Sequence, residues 1–427
     1  MDIEDEETGS AGSLEERAAA AIDADALAAD LGAIVAEPSV TGQERRALER
    51  LATLAAGHGL QPSLAAHDLA ALRAAPGYPG EEAPRDELLV LSAVLPGREG
   101  GPRLCLNGHI DVVGPGKAAW SRDVYSGEIA DGFVHGRGSV DMKGGLIAAM
   151  HAMAAVRRVA GETGAEVVLQ AVPSEEDGGL GTFAALEADA RFDACLIPEP
   201  TGFEVVLAHG GALTFTGIVR GATAHAAFRL EGTSAIDRYV PLHLAMAQHE
   251  RRINADVAHP LMAALPLPYP MLVGRVAAGA WSSQVPDELT FEGRLGVEVG
   301  VSVEEARRRF EAMMAAADDG QGPPVEITWS GGQFEPCETL ADEPFVELVR
   351  AAAAPELGEV PGLAGVPYGA DMRMFRRHDI PVVMFGTAGF ELAHAVDERV
   401  SIAELERLSR AIARVIVRFG AGAGSAA

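Results

Sequence analysis

The sequence is poor in basic residues and in cysteine. Its 427 residues include 34 Lys and Arg against 62 Asp and Glu, which gives a formal net charge of −28 at pH 7. A chain this acidic repels phosphate backbones, so we expect no nucleic-acid partner. The three cysteines are far apart, and Cys105 and Cys195 lie within apolar runs. Buried thiols are therefore expected rather than a disulfide framework.

The sequence also lacks a long apolar segment. No uninterrupted apolar run is long enough to span a bilayer, so no membrane partner is expected. The first seven residues are mostly acidic, whereas a secretory signal peptide begins with basic residues. These features favour a cytoplasmic protein. Residues 1–15 are rich in acidic residues, Gly and Ser, and we expect them to be disordered.

The order of the apolar patterns predicts the fold class. Apolar runs alternate with helical patterns up to residue 208, which is typical of an α/β fold with a mostly parallel sheet flanked by helices. From 209 to 334 the strand patterns alternate in polarity, as in an α+β domain, and the first pattern then returns. The sequence thus predicts a main domain, formed by 1–208 and 335–427, with an inserted α+β domain at 209–334.

Three local predictions concern single elements. Thr41 and Glu44 have the spacing of a capping box, which predicts the start of a helix. The apolar runs 87–95 and 103–108 are interpreted as neighbouring strands. The small residues from 420 to 427 are expected to form coil.

The carboxyl ends of four predicted buried strands carry side chains of the kind that bind metals. In chain order these are His109 with Asp111, then Asp141, then Glu175 with Glu176, and then Glu199. In an open α/β sheet, ligands bind outside the carboxyl ends of the strands. The pattern therefore predicts one metal site built from several loops.

Each of these residues also has an ordinary structural interpretation. A histidine at a strand end is more often a structural residue than a ligand. The spacing of His109 and Asp111 favours metal, because a metal-binding imidazole usually donates its other N–H to a carboxylate. Asp141 could be a turn aspartate bonded to its own backbone, or it could bridge two cations, since a carboxylate has two oxygens.

Glu175 and Glu176 could be a solvated surface pair. Adjacent carboxylates at a buried strand end repel each other unless a cation or a proton separates them, so one could ligate metal while the other moves protons. The segment 179–184 fits the Gly-x-Gly-x-x-Ala dinucleotide pattern, but the three acidic residues 175–177 oppose a pyrophosphate. A nucleotide-dependent enzyme and a non-catalytic binding protein with an incomplete metal set are the alternatives to a metal-dependent enzyme.

The whole set, in this order, resembles the dinuclear-zinc amidohydrolase family. That family contains the acetylornithine deacetylases, succinyl-diaminopimelate desuccinylases, aminoacylases and glutamate carboxypeptidases. The resemblance runs from the segment 38–44 to the segment 393–398, which is most of the chain. The segment in which Glu199 stands between two prolines resembles that of the deacetylase and desuccinylase branch. The aminopeptidase branch usually has an aspartate at the position of Glu199.

The resemblance implies a zinc-peptidase-like catalytic domain with two zinc ions per chain, for which Co²⁺ or Mn²⁺ could substitute. Asp141 would bridge the two ions. His109 and Glu199 would complete one site, and Glu176 and His394 the other. Glu175 would be the general base, Asp111 would support the catalytic site, and the peptide bond after Asp141 would be cis.

The resemblance also assigns roles outside the metal site. The block 209–334 matches a lid domain, which commonly makes a homodimer. Its His225 matches a histidine that stabilises the oxyanion, often across the dimer. Arg373 matches an arginine that grips a substrate carboxylate, with a helix-surface charge as the alternative, and Arg294 is a second candidate for that role.

Two departures from the family pattern affect substrate contacts and leave the metal residues intact. Ala370 stands where the family usually has Ser or Thr, and residues 282–286 lack the usual asparagine before Ile-Pro or Val-Pro. The implied function is metal-dependent hydrolysis of an amide bond in a small N-acylated amine or amino acid. The alternatives are a metallopeptidase of the carboxypeptidase or dipeptidase type, and a deformylase of a heterocyclic amide.

Overall fold

A computed structural model describes residues 12–422 of the chain. The expected disorder of residues 1–15 is wrong for Leu14 and Glu15, which begin the first helix, and residues 1–11 lie outside the described range. The expected coil at the carboxyl terminus is likewise wrong for residues 420–422, which end the last helix, and 423–427 are not described. Among residues 12–422, no helix is both long and apolar enough to cross a membrane.

Helices and strands alternate along most of the chain. The helices are α1 Leu14–Ala20, α2 Ala24–Val35, α3 Arg45–Gly57, α4 Leu69–Ala74, α5 Gly144–Ala160, α6 Leu180–Ala188, α7 Ala235–Ile253, α8 Val303–Ala317, α9 Pro344–Leu357, α10 Met372–Arg376 and α11 Ile402–Gly422. The strands are β1 Gln61–Ala66, β2 Leu89–Leu95, β3 Arg103–His109, β4 Ile129–Ala130, β5 Phe133–His135, β6 Glu166–Val172, β7 Ala194–Ile197, β8 Val205–His209, β9 Gly211–Arg220, β10 Leu272–Ala278, β11 Glu288–Val297, β12 Glu326–Phe334, β13 Cys337–Glu338, β14 Leu363–Val366, β15 Val382–Met384 and β16 Arg399–Ser401.

The main sheet has nine strands in the order β1-β2-β6-β3-β7-β15-β8-β13, with β14 paired to β8. Its central strands β6, β3, β7 and β15 are parallel, whereas β1 and β2 join one side antiparallel. The predicted α/β class with a central parallel sheet is confirmed. The predicted pairing of 87–95 with 103–108 is wrong, because β6 lies between β2 and β3. A polarity pattern shows that a segment is a strand but not which strand lies beside it.

Both faces of the main sheet are covered by helices. On β3, Leu104 and Leu106 belong to the core shared with α2, α5 and α11, whereas Cys105 belongs to the core shared with α6 and α10. Successive side chains of a strand point to opposite faces, so a strand between two helical layers must be apolar throughout. This explains the continuous apolar runs in the sequence. All three cysteines are free and buried, as expected.

A second sheet is antiparallel, with the order β10-β11-β9-β12. Alternate residues of β9 are buried, among them Leu213 and Phe215, and they pack with residues of α7 and α8 such as Phe310. These elements lie within the block for which the sequence predicts an inserted α+β domain. The boundaries at 209 and 334 remain a prediction.

The predicted capping box at Thr41 and Glu44 is wrong. Helix α3 begins at Arg45, and the Glu44 side chain accepts a hydrogen bond from the Gly42 N–H at 2.5 Å without making a cap bond. The Thr41 hydroxyl instead donates to the Asp111 carboxylate at 3.0 Å. A side chain that matches a local motif has here a partner 70 residues away.

Candidate metal centre

The candidate ligands lie at one edge of the main sheet. His109 is the last residue of β3, Glu176 follows β6, and Glu199 follows β7. Strand β3 pairs in parallel with both β6 and β7, so the three strands end at the same edge. This is the position in which α/β sheets bind their ligands. The sequence prediction agrees with the topology for these three strand ends. It is wrong for Asp141, which lies in the turn 139–143 before α5, after a strand of a separate three-stranded sheet.

The five predicted metal ligands converge around Asp141. Its Oδ1 lies 3.0 Å from His109 Nε2, and its Oδ2 lies 3.3 Å from His394 Nε2. Glu199 Oε1 is 3.7 Å from His109 Nε2, and Glu176 Oε1 is 3.1 Å from His394 Nε2. Each oxygen of Asp141 thus faces a different histidine, and each histidine has its own glutamate. A pair of cations with Asp141 as the shared ligand fits this arrangement.

Asp111 supports the centre in a way that differs in part from the prediction. Its backbone carbonyl oxygen lies 2.9 Å from His109 Nδ1, whereas its Oδ1 is 3.7 Å away. The nearer partner of the imidazole is therefore the carbonyl, which favours an N–H on Nδ1 and leaves the Nε2 lone pair for a metal. The fully buried carboxylate instead accepts the Glu175 and Glu176 N–H groups, at 3.2 and 3.3 Å. Asp111 thus holds the loop that carries both glutamates.

Carboxylates crowd the centre and perturb one another. Burial raises the pKa of Glu199 to about 8 and that of Asp111 to about 8, and it raises the pKa of Glu175 well above its usual range. Hydrogen bonds to Asp141 and Glu176 raise the pKa of His394 to about 10. Carboxylates that resist ionisation next to imidazoles that attract protons indicate a local deficit of positive charge. Imidazole and carboxylate ligands are also the set that Zn²⁺ uses in hydrolytic enzymes, so the residues fit divalent cations.

Arg137 and Glu398, which no sequence pattern predicts, hold the backbone next to the proposed ligands. Arg137 donates to Glu398 at 2.7 Å and to the His394 carbonyl oxygen at 3.1 Å, and both charged side chains are buried. The other oxygen of Glu398 accepts the backbone N–H groups of Val140 and Asp141, at 3.0 and 3.3 Å. The peptide bond between Asp141 and Met142 is cis, as the resemblance implied.

A second buried network, which no sequence pattern predicts, holds the loop of Glu175 and Glu176. Asp177 accepts the Ser174 hydroxyl, the N–H groups of Glu82 and Ala83 at 3.0 and 2.8 Å, and the guanidinium of Arg85 at 3.1 Å. The Arg85 side chain is 1% exposed. The only signal in the sequence was the acidic residue directly after the glutamate pair.

The Arg85 guanidinium also contacts two further carboxylates. Its Nε lies 3.2 Å from Glu81, and its Nη1 lies 3.6 Å from Glu44. One buried cation therefore faces three acidic side chains, including Asp177. Since Glu44 binds the Gly42 N–H next to Thr41, Arg85 links both loops that contact the Asp111 carboxylate.

The other predicted residues lie apart from the ligands. His225 is exposed, its Nδ1 accepts the Ala227 N–H at 3.1 Å, and its hydrogen bonds among residues 12–422 do not include a metal-centre residue. Arg373 is 1% exposed and donates to the carbonyl oxygens of Ala370 and Gly178, at 2.8 and 2.6 Å. The alternative of a helix-surface charge is therefore wrong for Arg373.

The predicted substrate arginines lie near one aromatic ring. The guanidinium carbon of Arg373 is 4.2 Å from the ring centroid of Phe334, and that of Arg294 is 5.7 Å from it. Arg294 is exposed on β11, whereas Phe334 is buried. Phe334 ends β12 of the second sheet, and Arg373 also donates to Gly178, two residues after Glu176.

The dinucleotide alternative has no room at residues 179–184. Gly179 has φ +80°, and a Cβ there would overlap the Asp371 carboxylate. A Cβ on Gly181 would overlap the carbonyl oxygen of Pro173. The glycines of this segment allow close packing of protein against protein, which leaves no space for a pyrophosphate.

Comparison with known proteins identifies the family. The model of peptidase family M20/M25/M40 matches residues 105–418. The chain belongs to the M20 peptidase family. Succinyl-diaminopimelate desuccinylase of Methylorubrum populi is 32% identical to this M20 protein over 338 residues, covering 75% of this chain and 83% of that protein. The desuccinylase of Methylobacterium radiotolerans is 30% identical and covers 90% of this chain and 94% of that protein.

Solved structures agree with the fold of this M20 protein. A tripeptidase from Staphylococcus aureus has a TM-score of 0.73 at 19% identity and covers 94% of this chain and 99% of its own. The YxeP protein of Bacillus subtilis, described as a dinuclear metal binding peptidase, has a TM-score of 0.62 at 17% identity and covers 92% and 98%. The family membership confirms the resemblance seen in the sequence. The chain is a hydrolase, and its relatives named desuccinylases support hydrolysis of the amide bond of an N-acyl amino acid.

Proposed function

We propose that this M20 hydrolase deacylates a small N-acylated amino acid or amine, with two Zn²⁺ ions held by His109, Asp141, Glu176, Glu199 and His394. Co²⁺ or Mn²⁺ could replace zinc. The observation that carries the proposal is the division of Asp141 between two histidines, at 3.0 Å from His109 and 3.3 Å from His394. A bridging carboxylate needs this geometry, whereas a single cation would not use both of its oxygens in this way.

When bound, the two cations would lower the pKa of a water and polarise the acyl carbonyl. Glu175 is proposed to remove the proton of that water and to deliver it to the leaving amine. Its position supports this role: its backbone is held by Asp111 at 3.2 Å, and its side chain makes no hydrogen bond within residues 12–422. The side chain can therefore move between two proton partners while its loop stays fixed.

For substrate recognition we propose the two predicted arginines, with Arg294 as the more accessible one. Two nitrogens of Arg373 already donate to protein carbonyls, so binding a substrate carboxylate would require part of that arrangement to change. Arg294 is exposed and lies beside the same Phe334 ring. A lid that moves against the metal centre would bring Arg294 toward the substrate.

The block 209–334 is proposed to act as a lid and to form a homodimer. Three apolar side chains on one face of α7 are exposed, namely Ile236 at 45%, Val240 at 50% and Leu244 at 55%. The neighbouring edge strand β10 exposes Leu272 at 63% and Val276 at 52%. An exposed apolar helix face and an open sheet edge are each typical of a surface that pairs with another chain. Such a dimer would allow His225 to act on the partner's substrate.

Replacing Glu175 by glutamine tests the reaction. Glu175→Gln should keep both metal ions but lose turnover by about 10²–10⁴-fold, because the amide cannot accept the proton. The control is Glu187→Gln, which changes an exposed glutamate on α6. Full activity in Glu175→Gln, with the metal content unchanged, would remove Glu175 as the base.

A substrate panel tests the chemistry of the acyl group. N-acetyl, N-succinyl and N-formyl amines should be hydrolysed, with dipeptides as the competing class. The 30–32% identity to desuccinylases favours the acylated amino acids over dipeptides. Faster cleavage of dipeptides than of every N-acyl compound would support the metallopeptidase instead.

The cytoplasmic location also remains a prediction.

A further inference from the structure

A second group of metal-type side chains lies outside the metal centre. Asp30 on α2, His58 directly after α3 and His151 on α5 come together at one point. His58 Nε2 is 2.7 Å and His151 Nε2 is 2.9 Å from the same oxygen, Asp30 Oδ2. One ligand atom from each of the three residues lies within 4.8 Å of the others.

Three helices fix the positions of these side chains. His151 lies seven residues after the start of α5 at Gly144, which is about 10 Å along the helix axis at 1.5 Å per residue. The group is thus separate from the ligands that precede α5. His151 is 2% exposed and rigidly held, whereas the side chains of Asp30 and His58 are 19% and 24% exposed. A hydrated ion could therefore reach the group from solvent.

The chemistry of the three side chains allows two states. Without an ion, each imidazole can donate its Nε2–H to Asp30, which gives two hydrogen bonds to one oxygen. With an ion, both Nε2 atoms present lone pairs and the carboxylate supplies a negative charge. Burial raises the pKa of Asp30, but the hydrogen bonds from His151 and His58 lower it more, so the carboxylate is ionised at neutral pH.

We propose that Asp30, His58 and His151 form an additional site for one divalent transition-metal ion such as Zn²⁺, with water completing the coordination. Two imidazoles and one carboxylate are a common ligand set for such ions. Ligand atoms about 2.1 Å from a tetrahedral ion are about 3.4 Å apart, so the two nitrogens must move away from Asp30 by about 0.5–0.7 Å. The position of His58 at a helix end, partly exposed, permits this movement.

Counting zinc tests the site. The full-length chain is stripped with a chelator, refilled with Zn²⁺, dialysed and analysed by elemental mass spectrometry. The wild type should hold one more zinc per chain than His58→Gln. Both proteins should hydrolyse the amide at the same rate, because within residues 12–422 the side chains of the group hydrogen-bond to one another and to no residue of the metal centre. The matched control is His259→Gln, which removes a histidine paired with a single carboxylate, Glu338, at 3.0 Å.

The test depends only on the difference in zinc content between the wild type and His58→Gln. It does not depend on how many ions the metal centre holds, so it is separate from the test of the proposed function. Asp30→Asn provides a second variant, in case His58→Gln is misfolded by circular dichroism. Equal zinc contents in the wild type, His58→Gln and Asp30→Asn would overturn the proposal and leave a hydrogen-bonded group that joins three helices. A loss of one zinc in His259→Gln as well would show nonspecific binding to histidines and would also overturn it.

Discussion

Replacing Arg85 by methionine should weaken the fold and slow the reaction in the same variant. Methionine keeps an unbranched apolar stem but removes the buried cation that contacts Asp177 and Glu44, whereas Glu81 keeps Arg73 as a partner. The Arg85 side chain is 1% exposed, and those of Asp177 and Glu44 are each 7% exposed. Bulk water therefore cannot hydrate the carboxylates that lose the guanidinium. Asp177 directly follows Glu175 and Glu176, so its displacement should also move the proposed base.

The expected loss of stability follows from the burial of the charges. Removing one partner of a buried ion pair typically costs about 3–5 kcal/mol, because the other charge stays buried without compensation. That is a large part of the about 5–15 kcal/mol that stabilises a typical protein. Protonation of Glu44, whose pKa burial already raises, offsets some of the cost. The residues behind catalytic ligands usually contribute about 10–100-fold to activity or metal affinity, so kcat should fall by a comparable factor.

Denaturant unfolding and steady-state kinetics measure the two effects together. The matched control is Arg45→Met on α3, where an exposed arginine pairs with Glu49 and Glu87 at the surface. Its removal should change neither quantity appreciably, because solvent screens exposed ion pairs. A double-mutant cycle with Asp177→Asn should show coupling, since the two side chains are in direct contact. If Arg85→Met unfolds at the same denaturant concentration as Arg45→Met, the buried network does not stabilise the loop and the reasoning is wrong.

Three further predictions concern pH, the lid and the dimer. Burial lowers the pKa of the His209 imidazole to about 4 in the folded protein, against about 6.5 in the unfolded chain. As the pH falls from 7 toward 4, the unfolded chain therefore takes up a proton at His209 while the folded protein keeps it neutral. The free energy of unfolding should therefore fall by about 3 kcal/mol from pH 7 to pH 4, and parallel pH curves for wild type and His209→Gln would contradict this. His225→Ala should lower kcat by about 10²–10³-fold with zinc content unchanged; loss of zinc would make His225 a ligand instead. Leu244→Asp should convert a dimer to monomer in light scattering, whereas a wild-type monomer would exclude action of His225 across subunits.

Four of the five proposed metal ligands follow local sequence patterns, whereas His394 is implied only by the family resemblance. His109 and Glu199 directly end apolar strands, and parallel strands bring such ends to one edge. Their supporting residues could not be found in this way. Arg85 and its partner Asp177 are 92 residues apart, and Arg137 and Glu398 are 261 apart. No periodicity connects positions so distant, and each of these residues alone is an ordinary surface charge in the sequence.

The same distinction explains why the capping box was misread. Thr41 matches a local pattern, yet its hydroxyl donates to the buried carboxylate of Asp111, because a buried charge gains stability from each further donor. Strand order was hidden for a related reason. Strand β6 enters between β2 and β3 because parallel strands require a helical crossover, so consecutive strands need not be neighbours.

The net negative charge of the carboxylates at the centre relates the proposed ligands and the supporting arginines to the stability of the fold. Five carboxylates meet near two histidines at the centre, those of Asp111, Asp141, Glu175, Glu176 and Glu199. Two divalent cations at the proposed site would supply a charge of the opposite sign and nearly equal size. Arg85 and Arg137 then neutralise only the carboxylates behind the centre, whose positions do not depend on metal. Metal binding and folding should consequently be linked, since the unfolded chain has no such cluster to bind the cations. The two arginines hold the loops in place, and the cations of the proposed site would compensate the charge that these loops bring together.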